Sequence, residues 1–221
     1  RTDGINRLPR AGRCWIRPVH HAQAGSESGK SIGHPFTVSE GLNIFDISEL
    51  YEKNGFGSSD EFLKACRDPK MIKSLLGELG ITDNNGNLPT SLEGYLYPET
   101  YQITKFTTLK ELLTEMVRNF NLNYEKIGAA EALPQMSKHQ IMTLASIIEK
   151  ETGAPEDRNK ISSVFHNRLS KGMMLQTDPT ILYGLSDLAS KNIISIRKED
   201  ILRPTKYNTY VIKGLPPGPI S

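Results

Sequence analysis

The chain has 221 residues, 37% hydrophobic and 24% charged, a globular composition that excludes a collagen-like or wholly disordered chain and a length that suits one large domain or two small ones. Its formal net charge of +2 is uneven: residues 1–35 carry Arg1, Arg7, Arg10, Arg13, Arg17 and Lys30 against Asp3 and Glu27, a net +4, so the remainder sums to −2. A nucleic-acid footprint needs a clustered basic face on the folded part, and none is visible; no apolar run approaches the roughly 18 residues of a membrane span.

Residues 1–34 read as an irregular N-terminal segment, partly non-native in character, with a short strand within Ala11–Pro18 and a linker from Gly25 to Gly33. Cys14 and Cys66 make no metal spacing and no CxxC, so they do not reveal a redox compartment. The start at Arg1 and the Pro/Gly-rich end from Gly214 read as the ends of an internal fragment of a longer protein.

From His34 the pattern sharpens. His34-Pro35-Phe36-Thr37-Val38 predicts a strand, and Gly41 a turn. Asn43 with Asp46 three residues on predicts a helix start; Ile44, Ile47, Leu50 and Tyr51 follow at helical spacing, and Gly55 ends it. A second helix after Ser58-Ser59 buries Phe62, Leu63 and Cys66. Asp68-Pro69 opens a third that carries Ile72, Leu75, Leu76 and Leu79 and stops at Gly80.

A loop at 83–87 leads to Leu92–Tyr101, whose aromatics and proline predict an extended segment. Thr108 with Glu111, and Ser137 with Gln140, are capping boxes. The first opens a helix with Leu109, Leu112, Leu113, Met116, Val117 and Phe120 inward; the second opens one with Ile141, Leu144, Ala145 and Ile148. Pro155 opens a helix that buries Ile161, Val164, Phe165 and Leu169 and ends near Gly172. Leu175–Thr180 then reads as a polar turn, and Asn208-Thr209-Tyr210 precedes the final loop.

Three places have chemistry-bearing residues. At 100° per residue, Glu149 and Glu151 lie on opposite shoulders of their helix's apolar stripe. A carboxylate at such a seam is partly desolvated, which favours its protonated form and suits a general acid. Boundary glutamates at a helix end are the commoner arrangement, and spacing does not choose between the two. Tyr95, Tyr97 and Tyr101 alternate with Glu93 and Glu99, as in a groove that stacks on sugar rings and bonds their hydroxyls; a strand with one aromatic face in the core has the same pattern. Gln176-Thr177-Asp178 and Asn208-Thr209-Tyr210 suggest a polar cleft or ordinary turn chemistry. HExxH, GxSxG, P-loop and GxGxxG patterns are absent from the sequence, so zinc-hydrolase, serine-hydrolase and nucleotide-binding readings have no support.

The blocks Leu92–Tyr101, Ala145–Thr152, Leu175–Thr180 and Tyr207–Tyr210, with Val164–Leu169 and Gly214–Ile220, together resemble the YceG-like family of endolytic murein transglycosylases. The resemblance runs from about Ala11 to Ser221. It implies an α+β fold: a LysM-like subdomain over 35–80, then a mixed α/β catalytic domain over 81–221 without the family's last segment. The family's N-terminal membrane helix is not in this chain, and residues 19–28 lack the helical pattern expected there.

The activity the resemblance implies is cleavage of the β-1,4 bond between N-acetylmuramic acid and N-acetylglucosamine within peptidoglycan strands, without water and without metal or cofactor. It selects Glu149 as the catalytic acid. It makes Glu93, Tyr97, Gln176, Thr177, Asp178, Asn208 and Tyr210 the substrate-binding set. It also implies peptidoglycan glycan strands as substrate, a peptidoglycan synthase complex as partner, and a single-pass inner-membrane anchor with this part facing outward. The rival readings are a non-catalytic glycan-binding module and a water-using glycosidase. The glycosidase predicts a second essential carboxylate, Glu93 or Asp178.

Overall fold

The structure is a computed structural model that describes residues 33–83, 85–128, 133 and 135–221. The strand expected within Ala11–Pro18, Cys14, and the N-terminal segment up to residue 32 lie outside the described residues.

Local signals place most of the helices. Asn43 and Asp46 form a reciprocal capping box that starts α1 (Ile44–Lys53). Ser58 caps α2 (Ser59–Cys66) through the Glu61 amide. Asp68 caps α3 (Pro69–Ile72), which runs on as a π-helical turn over Lys73–Gly77. Reciprocal boxes at Thr108/Glu111 and Ser137/Gln140 start α4 (Leu109–Ile127) and α5 (Lys138–Glu151). Each such cap is worth about 1 kcal/mol. A short 3-10 turn at Pro155–Asp157 leads into α6 (Arg158–Ser170).

Three expectations need correction. Leu175–Thr180 is more than a polar turn: Asp178 and Pro179 begin α7 (Asp178–Ala189), which buries Ile181, Tyr183 and Leu185. The start is offset from the one at Asp68-Pro69: there Asp68 is the cap, whereas here Thr177 precedes the helix and Asp178 and Pro179 are its first two residues. Val164 is 49% exposed, so α6 buries chiefly Phe165. Leu92–Tyr101 is not extended throughout: Tyr95 N–H closes a turn onto the Leu92 carbonyl, and regular strand begins only at Thr100.

Strand β1 (His34–Thr37) pairs antiparallel with β2 (Thr100–Ile103), Phe36 opposite Tyr101. Side chains alternate across a strand, so Phe36, Tyr101 and Ile103 point inward. Phe36 meets Tyr51 and Phe56 edge-on, at 6.1 and 5.6 Å between ring centroids. Each such contact adds about 0.5–1.5 kcal/mol beyond area burial. This pairing crosses the expected boundary near residue 80, and one continuous core runs from Phe36 to Ile220. Among the described residues the architecture is a helix-rich mixed fold around this small sheet.

Candidate active site

The site is built around the C-terminal end of α5. Ile141, Leu144 and Ile147 seat the helix in the core, which fixes its rotation. That rotation sends Glu149 to one side and Glu151 to the other. Carboxylates at a helix C-terminus face the negative end of its dipole, at a cost of about 0.3–1 kcal/mol each. Helix stability therefore does not explain the pair.

Glu149 is half-buried on the wall of a cleft of about 360 Å³. The Val38–Leu42 turn forms one side, Glu93–Pro98 the floor, and α4 residues around Asn123 the far wall. The turn approaches closely. Gly41 has φ +76°, and a Cβ there would lie 3.9 Å from Glu149 Cδ and 4.0 Å from Oε1. Lys150 Nζ donates to the Gly41 carbonyl at 3.1 Å and fastens the turn to α5. From the other direction, Ser221 Oγ donates to Glu149 Oε2 at 3.1 Å. Tyr97 lines the same cleft, its carbonyl held by the Tyr101 hydroxyl at 2.5 Å.

Glu93 borders this cleft but is 3% exposed. Its carboxylate accepts the first amide of α1, Ile44 N–H, at 3.0 and 3.2 Å, and the Tyr183 hydroxyl at 2.8 Å. Burial pushes its pKa up to about 7, against the opposing pull of the hydrogen bonds from Ile44, Tyr183 and Gly94. Tyr183 is raised well above the ordinary phenol range, first by its own burial and then by Glu93.

On the opposite shoulder the exposed Glu151 accepts a hydrogen bond from Thr177 Oγ1. Thr177 N–H donates to Thr209 Oγ1 at 3.1 Å, and the Thr180 and Thr209 hydroxyls are 2.8 Å apart. Gln176 takes a left-handed φ of 54°, and its side-chain oxygen accepts from Arg168 at 3.1 Å. The Tyr210 hydroxyl donates to Asp178 Oδ1 at 2.7 Å. That bond, together with partial burial and the adjacent negative charge, pushes the phenol up to about 12. Asn208 is buried and uses both ends of its amide internally: Nδ2 donates to the Ile201 and Arg203 carbonyls, and Oδ1 accepts from Tyr210 N–H.

The expected residues thus fall into two groups. Glu149, Glu93 and Tyr97 share the cleft. Gln176, Thr177, Asp178, Asn208 and Tyr210 gather around Glu151, outside the lining of that cleft. A family model described as the YceG-like family matches residues 19–221.

This chain belongs to the YceG-like family.

Among curated proteins, it is 35% identical over 198 residues to the endolytic murein transglycosylase of Bacillus subtilis, covering 86% of this chain and 54% of that protein. It is 33% identical over 200 residues to the endolytic murein transglycosylase of Streptococcus pneumoniae, covering 83% of this chain and 35% of that protein. The chain spans about half the length of the Bacillus relative and about a third of the pneumococcal one. A crystal structure of a yceG-like protein from Listeria monocytogenes superposes with a TM-score of 0.74 at 35% identity, covering 86% of this chain and 63% of that one.

Gly41, Arg158 and Ser221, which line the cleft, and Lys150, which fastens its turn, escaped the sequence reading as site residues. Gly41 and Ser221 had a signal. The first sits in a glycine turn, and the second directly follows the Gly214–Ile220 block that matches the family. Lys150 and Arg158 had none, because a lone cation on a helix is ordinary surface chemistry.

Proposed function

We propose that this chain is the glycan-cleaving part of an endolytic murein transglycosylase, with Glu149 as its catalytic residue. The observation that carries the reading is the placement of Glu149: a half-buried carboxylate on a cleft wall, with Tyr97 in the same cleft. Protonated Glu149 gives its proton to the oxygen of the β-1,4 bond as that bond breaks. The carboxylate formed then takes the proton from the muramyl C6 hydroxyl as its oxygen bonds C1. The product ends in 1,6-anhydro-N-acetylmuramic acid, and no water is consumed.

A water-using glycosidase needs a second working carboxylate. Here the nucleophile belongs to the substrate, so one suffices. Glu93 favours this reading over the hydrolytic one, because Ile44 N–H and the Tyr183 hydroxyl already occupy its oxygens. Glu40, which also lines the cleft, is the carboxylate a hydrolase would recruit. Tyr97 stacks on a sugar ring, and Glu93 shapes the floor beneath it. Thr177 acts by holding the Glu151 side of α5, Asn208 by holding the loop that carries Tyr210, and the exposed faces of Gln176, Asp178 and Tyr210 extend the path of the strand.

Residues 35–80 are a LysM-like part and 81–221 the catalytic part, on the strength of the family resemblance. The same resemblance supports a whole protein anchored in the inner membrane by a segment outside this chain, facing outward, with a peptidoglycan synthase complex as partner. Among the described residues no helix is long and apolar enough to cross a membrane.

The test is a peptidoglycan digest by the chain and by Glu149→Gln, with products weighed by mass spectrometry. Fragments one water lighter than hydrolysis products, formed only with Glu149 intact, are expected. Water-added ends that depend on Glu40 would establish the hydrolase instead. Glycan binding with no cleavage would leave a binding module.

A further inference from the structure

The stretch from Gly214 to Ser221 is a strap laid along α5, and its path is fixed at several points. The Pro217 carbonyl lies 2.7 Å from His139 Nε2. A carbonyl only accepts, so Nε2 carries a proton. Nδ1 of the same ring lies 2.5 Å from the Tyr95 hydroxyl, and both side chains are buried. Pro219 then packs over Gly94, where any Cβ would clash with Cβ and Cγ of the proline ring. Ile220 is 1% exposed, and its N–H donates to Ser146 Oγ at 3.0 Å.

Ser146 and Glu149 are three residues apart and so share a helix face. The strap therefore reads Ser146 with Ile220 and reaches Glu149 with the next residue, Ser221. A hydroxyl that donates to Oε2 disfavours a proton on that oxygen. It can donate to Oε2 whether the carboxyl is ionised or carries its proton on Oε1. Oε1 is the oxygen nearer the Gly41 turn, 4.0 Å from where a Cβ at Gly41 would stand.

We propose that Ser221 is a positioning residue for Glu149: its hydroxyl occupies Oε2, so that the acid proton is carried on Oε1. The inference rests on Glu149 being the catalytic acid. It assigns the end of the strap a part in the reaction, and explains why Gly94, Ser146 and His139 hold that strap so closely.

The experiment measures anhydro-product formation on peptidoglycan by the chain and by Ser221→Ala, Ser221→Thr and Glu149→Gln, with melting temperatures for each. Loss of one hydrogen bond to a charged group predicts a fall in kcat of about tenfold for Ser221→Ala. KM should stay within about twofold, the melting temperature should be close to the parent's, and Ser221→Thr should recover most of the rate because it keeps the hydroxyl. Parent-like turnover by Ser221→Ala, with Glu149→Gln inactive, overturns this inference alone. An equal loss in Ala and Thr variants accompanied by a lower melting temperature also overturns it, since packing alone would then account for the effect. No anhydro product from the parent, or undiminished product from Glu149→Gln, overturns the functional reading and this inference with it.

Discussion

The two shoulders of α5 carry the same side chain two residues apart, yet the fold treats them differently. Glu149 faces a cleft, touched by a serine hydroxyl from the strap and approached by a glycine turn. Glu151 is exposed and bound by Thr177 at the N-terminus of α7, within a set of threonine, asparagine and tyrosine hydrogen bonds. One side leaves a carboxylate beside space that a substrate can enter. The other uses its carboxylate to tie two helices together. Residue type and exposure alone would rank the more exposed Glu151 as the freer group; the partners reverse that ranking.

The strongest way to break this contrast is to neutralise each glutamate in turn. Glu149→Gln is expected to lower glycan cleavage by at least about a hundredfold, the usual size of a general-acid contribution. Glu151→Gln is expected to stay within about tenfold. Equal losses in a product assay would show that the two shoulders do one job.

The strap side can be tested through its glycine. Gly94 combines φ +79° with the overlap between a Cβ and Pro219, so Gly94→Ala should cost about 4 kcal/mol from backbone strain and overpacking together. Denaturant titration reads this directly. Gly153→Ala is the control: a Cβ there meets nothing within 4 Å, and the change should be near neutral.

Glu93 sharpens the comparison through pH. Its folded pKa of about 7 lies above the ordinary 4.5, so the folded form keeps a proton that the unfolded form has released. Its contribution to stability is therefore fully present below about pH 4.5 and is lost as pH rises through about 7. A shift of this size corresponds to about 3 kcal/mol. Glu93→Gln should flatten that part of the stability–pH curve relative to the parent. Curves of identical slope would show that Glu93 titrates normally. The smallest effect belongs to the Glu151 side: Tyr210→Phe removes the bond to Asp178 but keeps the ring, and should change stability by about 1 kcal/mol or less in a denaturant titration.

What could be read without coordinates was what is decided locally. Asn43/Asp46, Ser58, Asp68-Pro69, Thr108/Glu111 and Ser137/Gln140 each settle a helix start within four residues of chain, so the starts of α1 to α5 were legible. Helix α7 was not, because Thr177-Asp178 is as good a turn as it is a cap. The family blocks named the chemistry and selected Glu149, while periodicity placed both glutamates on seams and could go no further. The rest depended on contacts between distant parts of the chain. Ser221 meets Glu149 across 72 residues, Lys150 meets Gly41 across 109, and Ile44 meets Glu93 across 49. No local propensity encodes such meetings. They follow from which faces the core buries, and only the packed fold decides which carboxylate is left facing the cleft.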